Sequence, residues 1–230
     1  MKIRQLFDTE TSSYTYLVWD EKTREAALID SVDTQMERDL QLIRELNLDL
    51  KYTLETHIHA DHITASGKIR EQLGSRAVVH RNSQSVCADI LVADGDTIKL
   101  GEQQIQVMET PGHTDTCVSY RIDGIVFTGD ALLIRGCGRT DFQAGDPGML
   151  YDSIHARLFS LPDETIVYPA HDYRGFRSST IGEEKAHNPR LGNNRPKQAF
   201  VDLMNSLDLD PPKKIAEAVP GNLECGLKQG

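Results

Sequence analysis

The sequence lacks the features that mark several classes of protein. It has no run approaching the ~18 apolar residues that a membrane-spanning helix requires. Positive charge is also limited, because 25 Lys and Arg stand against 35 Asp and Glu, for a formal net charge of −10. Nucleic acids and anionic membranes both require clustered cations, so we expect the chain to bind neither. An anionic small substrate is compatible with this charge, since it needs only one or two local cations.

Cysteine is scarce, and no two of the four cysteines form a CxxC pair. They are Cys87, Cys117, Cys137 and Cys225. Their spacing excludes a zinc-ribbon signature, and we expect reduced thiols in a cytoplasmic protein. The first residues have neither the apolar segment nor the cleavage site of a signal peptide, which likewise predicts no export.

The hydropathy pattern predicts a mixture of short strands and amphipathic helices. Apolar and β-branched runs such as Tyr14–Trp19 and Val118–Ile122 indicate strands, whereas Thr34–Leu46 has apolar residues at helical spacing. Strands and helices in mixed order predict sheets covered by helices, in an α/β or α+β fold. After Leu207 the chain is rich in proline, which suggests a segment lying over the body of the protein.

The sharpest feature is an HxHxDH motif at residues 57–62. The chain has 8 histidines, and three at specified positions in one window would arise by chance in roughly one such chain in a hundred. The motif follows a predicted strand, Lys51–Thr56, and opens a predicted helix, Ile63–Leu73. Side chains alternate along a strand, so His57 and His59 should point the same way. The polar groups therefore converge at one strand end.

Three further segments place a histidine or an acid at a strand end, as the first motif does. They contribute His113, Asp130 and His171. Imidazole and carboxylate suit zinc, iron or manganese, whereas a structural zinc site would more often use cysteine. Such a set leaves coordination positions open, which indicates catalysis. Asp61 has a second interpretation, as the N-cap of the helix that follows it, and it can serve both roles.

Taken together, these segments resemble the metallo-β-lactamase superfamily: HxHxDH, then His113, Asp130 and His171 in that order. The resemblance implies a four-layer αββα sandwich with a metal at the edge between its two sheets. It implies one such domain over residues 1–230, with a short C-terminal extension over about 180–230.

Within that superfamily, the stretch Arg135–Gln143 (RGCGRTDFQ) resembles the hallmark of the persulfide dioxygenases, the ethylmalonic encephalopathy protein family. Glyoxalase II has a similar Gly-Cys-Gly, but with an aromatic-rich continuation. Only residues 172–230 follow His171, which is short for the helical substrate domain of glyoxalase II. The segments Asn188–Leu191 and Val219–Gly226 also fit the dioxygenases.

The resemblance implies one Fe(II) per chain, bound by His57, His113 and Asp130. Four more residues would surround an unused second metal position: His59, Asp61, His62 and His171. Because the sequence retains all seven residues, the ligand inventory alone leaves a site for two metals open.

Substrate contacts are also implied, by Arg139, Tyr173 and, with a weaker match, Arg177. An anionic substrate needs local cations in so acidic a protein, although Arg139 could instead form an ion pair with Asp141.

The implied activity is that of a mononuclear non-haem iron(II) persulfide dioxygenase, which oxidises glutathione persulfide with O₂ and water to sulfite and glutathione. The resemblance further suggests a homodimer. One alternative is a glyoxalase II-like thioester hydrolase with two metals. Another is a metal-binding sensor or scaffold without turnover, which the intact set of site residues disfavours.

Overall fold

The computed structural model describes residues 1–212 and 214–227. Two six-stranded sheets and six α-helices make up its regular structure in those residues. The chain falls into two compact units. The first consists of Met1–Val92, Thr97–Ile105 and Pro211–Gly230, and the second of Ala93–Asp96 and Gln106–Asp210. The prediction of a single domain with a C-terminal extension stays a prediction, and Lys213 and residues 228–230 of that extension lie outside the described residues.

The first sheet belongs to the first unit and has its strands in chain order. They are β1 (Lys2–Asp8), β2 (Ser13–Trp19), β3 (Glu25–Ile29), β4 (Asp49–Leu54), β5 (Arg76–His80) and β6 (Ile90–Val92). The first three pair antiparallel, and β3 to β6 pair parallel. Parallel neighbours require crossovers: α1 (Met36–Glu45) and α2 (Ser66–Leu73) supply the first two, and residues 81–89 supply the third. The carboxyl ends of β3 and β4 therefore meet at one edge of the sheet.

Apolar side chains from the first sheet and its two helices form one core. Leu17 and Leu28 of the sheet pack with Leu40 of α1 and Ile69 of α2, and all four are fully buried. The predicted helix over Thr34–Leu46 is confirmed, with a single 3₁₀ turn before α1.

The second sheet also has its six strands in chain order. They are β7 (Thr97–Leu100), β8 (Gln103–Glu109), β9 (Val118–Ile122), β10 (Ile125–Gly129), β11 (Ile166–Pro169) and β12 (Ser179–Thr180). The parallel pair β10 and β11 places its carboxyl ends side by side, just before Asp130 and His171. The remaining helices are α3 (Pro147–Ser153, continued by a π-helical turn Ile154–Leu158), α4 (Ile181–His187), α5 (Lys197–Asn205) and α6 (Ile215–Leu223). None of the described helices is long and apolar enough to cross a membrane.

The helix after the HxHxDH motif begins later than predicted, at Ser66 instead of Ile63. The backbone of Thr64 forms a β-bridge with Val32, and its N–H donates to the side chain of Asn222, so this segment stays extended. The N-cap position of α2 is Ala65. The interpretation of Asp61 as that cap is therefore wrong.

The expectation of four reduced thiols is also wrong. Cys87 and Cys225 form a disulfide across a sequence separation of 138 residues, with Cα atoms 6.0 Å apart. Nothing local in the sequence marks this pair, because only the fold brings the two positions together. Cys117 and Cys137 are buried thiols outside the disulfide, in agreement with the expectation for those two. Burial raises the pKa of the Cys137 thiol to about 11.

A fully buried carboxylate, Glu184 of α4, fixes the start of the Arg135–Gln143 stretch. One oxygen accepts from the backbone N–H of Arg135 at 2.8 Å and from Nδ2 of Asn188 at 2.9 Å. The other accepts from the hydroxyl of Ser179 at 2.6 Å and from the guanidinium of Arg135. Each oxygen of the Glu184 carboxylate thus accepts two hydrogen bonds, which offsets the cost of removing the charge from water.

We expect Glu184→Ala to lower the free energy of unfolding by about 3 kcal/mol, because it leaves the backbone N–H of Arg135 without its acceptor and removes the buried carboxylate that pairs with the partly buried guanidinium of that residue. Urea unfolding would measure this. Glu183→Ala is the matched control, since Glu183 pairs with the same arginine from a side chain that is 51% exposed. This substitution should lower the free energy of unfolding by about 1 kcal/mol or less. Equal losses in both variants would contradict a special role for Glu184.

Candidate metal centre

In the first unit, the candidate ligands follow β4, and the buried carboxylate of Asp30 organises their backbone. Asp30 comes directly after β3 and is 2% exposed. It accepts from the backbone N–H of Thr56 at 2.7 Å and from the hydroxyl of Thr56 at 2.9 Å. These bonds fix the chain immediately before His57.

The hydroxyl of Thr56 also defines the tautomer of His57. Its one hydrogen is donated to Asp30, so at 3.0 Å from Nδ1 of His57 its oxygen accepts. Nδ1 of His57 therefore carries the hydrogen, and Nε2 carries the lone pair. Metal-binding histidines in proteins are commonly oriented in this way, through the ring nitrogen that does not bind the metal.

His59 faces two buried carboxylates. Its Nε2 lies 3.2 Å from Oδ1 of Asp30 and 3.4 Å from Oε2 of Glu55. Burial opposes the charged imidazolium, but the two acids outweigh burial and raise the pKa of His59 well above its usual value. Glu55 is held in turn by the hydroxyl of Thr64, at 2.5 Å.

Two imidazole nitrogens of the motif, Nδ1 of His59 and Nε2 of His62, are buried and have no hydrogen-bond partner within the described part of the chain. Nδ1 of His62 bonds to Asp61 at 2.8 Å. Ligand atoms of His59, Asp61 and His62 lie within 4.8 Å of one another. Buried polar atoms are normally satisfied, so this donor set fits a metal ion.

In the second unit, His113 and Asp130 also present acceptors to each other. Nδ1 of His113 donates to the carbonyl of Arg139 at 2.6 Å, which leaves the lone pair on Nε2. Nε2 lies 3.7 Å from Oδ2 of Asp130. An imidazole Nε2 and a carboxylate oxygen at this separation, with Nδ1 of the imidazole already bonded, form an arrangement that suits a shared cation.

His171 holds the other oxygen of that carboxylate. Its Nδ1 donates to Oδ1 of Asp130 at 2.7 Å, so the carboxylate is oriented with Oδ2 toward His113. The ring of Tyr173 stacks on His171 with centroids 6.0 Å apart, although the tyrosine is 71% exposed.

Gly138 explains why the RGCGRTDFQ stretch needs a glycine beside these ligands. Its N–H donates to the carbonyl of Asp130 at 2.7 Å. A Cβ at this position would lie 2.5 Å from that carbonyl oxygen and 2.8 Å from Nδ1 of His113. Only a residue without a side chain lets the loop pass this close, and the close approach delivers the Arg139 carbonyl to His113.

The side chain of Arg139 forms the ion pair that the sequence offered as an alternative. Nε and Nη2 bind Asp141 at 2.7 Å each, and Nη1 donates to the carbonyl of Asp210 at 2.7 Å. The guanidinium also lies over the ring of Phe142. Arg177 is exposed.

Sequence reasoning missed Asp30, Glu55, Thr56 and Asn222. Asp30 had a detectable signal, since it is an acid at the end of an apolar strand, as Asp130 is. Thr56 had none beyond its position next to the motif.

Residues 8–171 match the model of the metallo-beta-lactamase superfamily. The human protein named "Persulfide dioxygenase ETHE1, mitochondrial" is 47% identical over 98% of this chain and 89% of its own. The chain belongs to the persulfide dioxygenase family. It is an enzyme of that type, built on the metallo-beta-lactamase fold, and the family assignment made from the sequence is confirmed.

Solved structures agree with that assignment. The structure titled "Crystal structure of ETHE1 from Myxococcus xanthus" is 52% identical and superposes with a TM-score of 0.97, covering 99% of this chain and 100% of that one. A metallo-beta-lactamase from Staphylococcus aureus, 24% identical with a TM-score of 0.89, shares the fold. "Glyoxylase B2" of Dictyostelium discoideum is more distant, at 27% identity.

We expect Thr56→Val to weaken metal binding by about 10–100-fold, because it removes the hydroxyl that fixes the ring of the candidate ligand His57. Titration of the metal-free protein against a competing chelator would measure the change. Thr56→Ser keeps the hydroxyl and is the control. A Val variant that binds metal as tightly as the Ser variant would contradict this role for Thr56.

Proposed function

We propose that this chain is a mononuclear non-haem iron(II) persulfide dioxygenase that converts glutathione persulfide, O₂ and water to sulfite and glutathione. The observation that carries the proposal is nearly full-length identity of 47% with a curated persulfide dioxygenase. The proposed substrate is a small anion, which suits a protein whose net charge of −10 disfavours nucleic acid and anionic membranes.

We propose His57, His113 and Asp130 as the iron ligands. Two observations support this choice. In both histidines Nδ1 donates a hydrogen bond, which leaves the lone pair on Nε2. In Asp130, His171 occupies one oxygen and orients the carboxylate. Iron held by two histidines and one carboxylate would supply the activation of O₂ toward the persulfide sulfur.

The chain's own groups would hold these ligands and place the substrate. Thr56, the carbonyl of Arg139 and His171 each fix the orientation of one ligand. We retain Arg139, Tyr173 and Arg177 as proposed contacts for the glutathione moiety. The exposure of Tyr173 and Arg177 supports such contacts, whereas Arg139 would share its guanidinium with Asp141.

The triad His59, Asp61 and His62 favours a second candidate function. Its buried, unpartnered nitrogens are those of a metal site. Occupation of that site would add a second metal and permit thioester hydrolysis by a metal-bound hydroxide. Against it, His59 already donates to a buried carboxylate, and the relative whose name points to that class is distant.

We further propose a homodimer located in the cytoplasm. The three mammalian relatives carry "mitochondrial" in their names, so the cytoplasmic location stays a proposal.

Metal content and substrate use distinguish the two candidates. We expect anaerobically purified protein to contain about one iron per chain and to consume O₂ with glutathione persulfide only when Fe(II) is present. Elemental analysis and an oxygen electrode would show this. Two tightly bound zinc ions, thioesterase turnover and no oxygen uptake would overturn the dioxygenase proposal.

Two histidine variants test the ligand assignment. His113→Ala removes a proposed ligand, so its iron content should collapse. His171→Ala removes the hydrogen bond that orients Asp130 but no proposed ligand, and we expect most of the iron to remain while turnover slows about 10–100-fold. Iron content and turnover should be measured on the same anaerobic preparations. Equal loss of iron in the two variants would show that the mononuclear assignment is wrong.

A further inference from the structure

One side chain from the C-terminal helix holds the backbone of the HxHxDH loop. Asn222 of α6 is 4% exposed. Its Nδ2 donates to the carbonyls of His59 at 2.9 Å and His62 at 2.8 Å, and its Oδ1 accepts from the N–H of Thr64 at 2.8 Å. The buried amide thereby fixes the loop at three points.

The residues just after Asn222 lie against the same loop. The carbonyl of Cys225 accepts from the N–H of Gly67 at 2.8 Å. Gly226 has φ +72°, and a Cβ there would lie 1.9 Å from the carbonyl oxygen of Thr64. We call residues 222–226 the C-terminal clasp, since backbone and side chain both secure the metal-binding loop.

The Cys87–Cys225 disulfide ties this clasp to the segment before β6. The N–H of Val86 and the hydroxyl of Ser85 also donate to the carbonyl of Leu223, at 3.0 and 3.1 Å. The covalent bond is the one strong link among these contacts. Cys225 is 1% exposed, whereas Cys87 is only partly buried, so a thiol has access from the Cys87 side.

We propose that the Cys87–Cys225 disulfide is a thiol-sensitive lock on the C-terminal clasp, whose reduction releases Asn222 and loosens the metal-binding loop. Disulfides in reducing compartments are usually transient or redox-sensing, which is consistent with such a role. The inference rests on the proposed function in treating residues 57–62 as part of the metal site, and on the proposed cytoplasmic location for the reducing compartment.

Opening the lock is a thiol–disulfide exchange with a low-molecular-weight thiol, the class of compound that the proposed reaction releases. A thiolate attacks Sγ of Cys87, the Cys87–Cys225 bond breaks, and Cys225 leaves as a thiolate. A second thiolate then attacks the mixed disulfide and releases Cys87. Two small thiols are oxidised to one disulfide, and the two cysteines take up the two electrons and two protons.

Hydrogen exchange of the full-length protein, followed by mass spectrometry with and without millimolar glutathione, tests the proposal. We expect amides in residues 57–67 to exchange about tenfold faster after reduction, while peptides from β9 and β10 keep their rates. Thiol titration of the same samples, after removal of glutathione and in denaturant so that the buried Cys117 and Cys137 react, should rise from two to four per chain. This readout needs neither iron nor persulfide, so it is separate from the test of the proposed function.

Variants identify which groups carry the effect. In the double variant Cys87→Ser/Cys225→Ser, the amides of residues 57–67 should exchange rapidly both with and without glutathione. Asn222→Ala should exchange rapidly there even with the disulfide closed. Unchanged exchange in the wild-type protein after four thiols are titrated would overturn the proposal, and this arm requires no variant to fold. Slow exchange in Asn222→Ala would overturn the role of Asn222.

Discussion

The buried carboxylate of Asp30 is the constraint on which the first half of the site depends. A charge with 2% exposure must be fully hydrogen-bonded, and Asp30 meets this requirement with the backbone and hydroxyl of Thr56 and the ring of His59. Satisfying the carboxylate fixes the chain on both sides of His57. The hydroxyl that serves Asp30 also sets the tautomer of His57, so one buried charge orients two histidines of the motif.

In the second unit, backbone groups orient the candidate ligand His113. A carbonyl, from Arg139, receives the Nδ1 hydrogen of His113, and the glycine before it permits the close approach. Glu184 anchors the other end of this loop through Arg135. The RGCGRTDFQ stretch, which resembles the family hallmark, therefore also has a structural role next to His113 and Asp130. The side chain of Arg139 is engaged mainly with Asp141.

The C-terminal clasp adds a third level of support, behind the proposed ligands and their hydrogen-bond partners. Asn222 acts on backbone carbonyls and an N–H of the loop, so its effect on the site is one of position and rigidity. Helix α6 was not predicted, since Pro220 inside it is a poor helix former. The disulfide places the stability of this support under the influence of thiols.

The sequence by itself determined the family, most of the elements and the residues of a candidate metal site. Those features are local: the HxHxDH motif, the strand-end His113, Asp130 and His171, and the RGCGRTDFQ stretch are each readable within about ten residues. Strand β9 even begins at Val118 and ends at Ile122, as its hydropathy predicts. Tertiary structure alone decided the pairing of Cys87 with Cys225, the late start of α2, and the roles of Asp30, Glu184 and Asn222. Each of these depends on partners distant in the chain, 163 positions apart for Asn222 and His59. A buried polar group acquires its function from whichever partner the fold brings to it, and no local pattern encodes that partner.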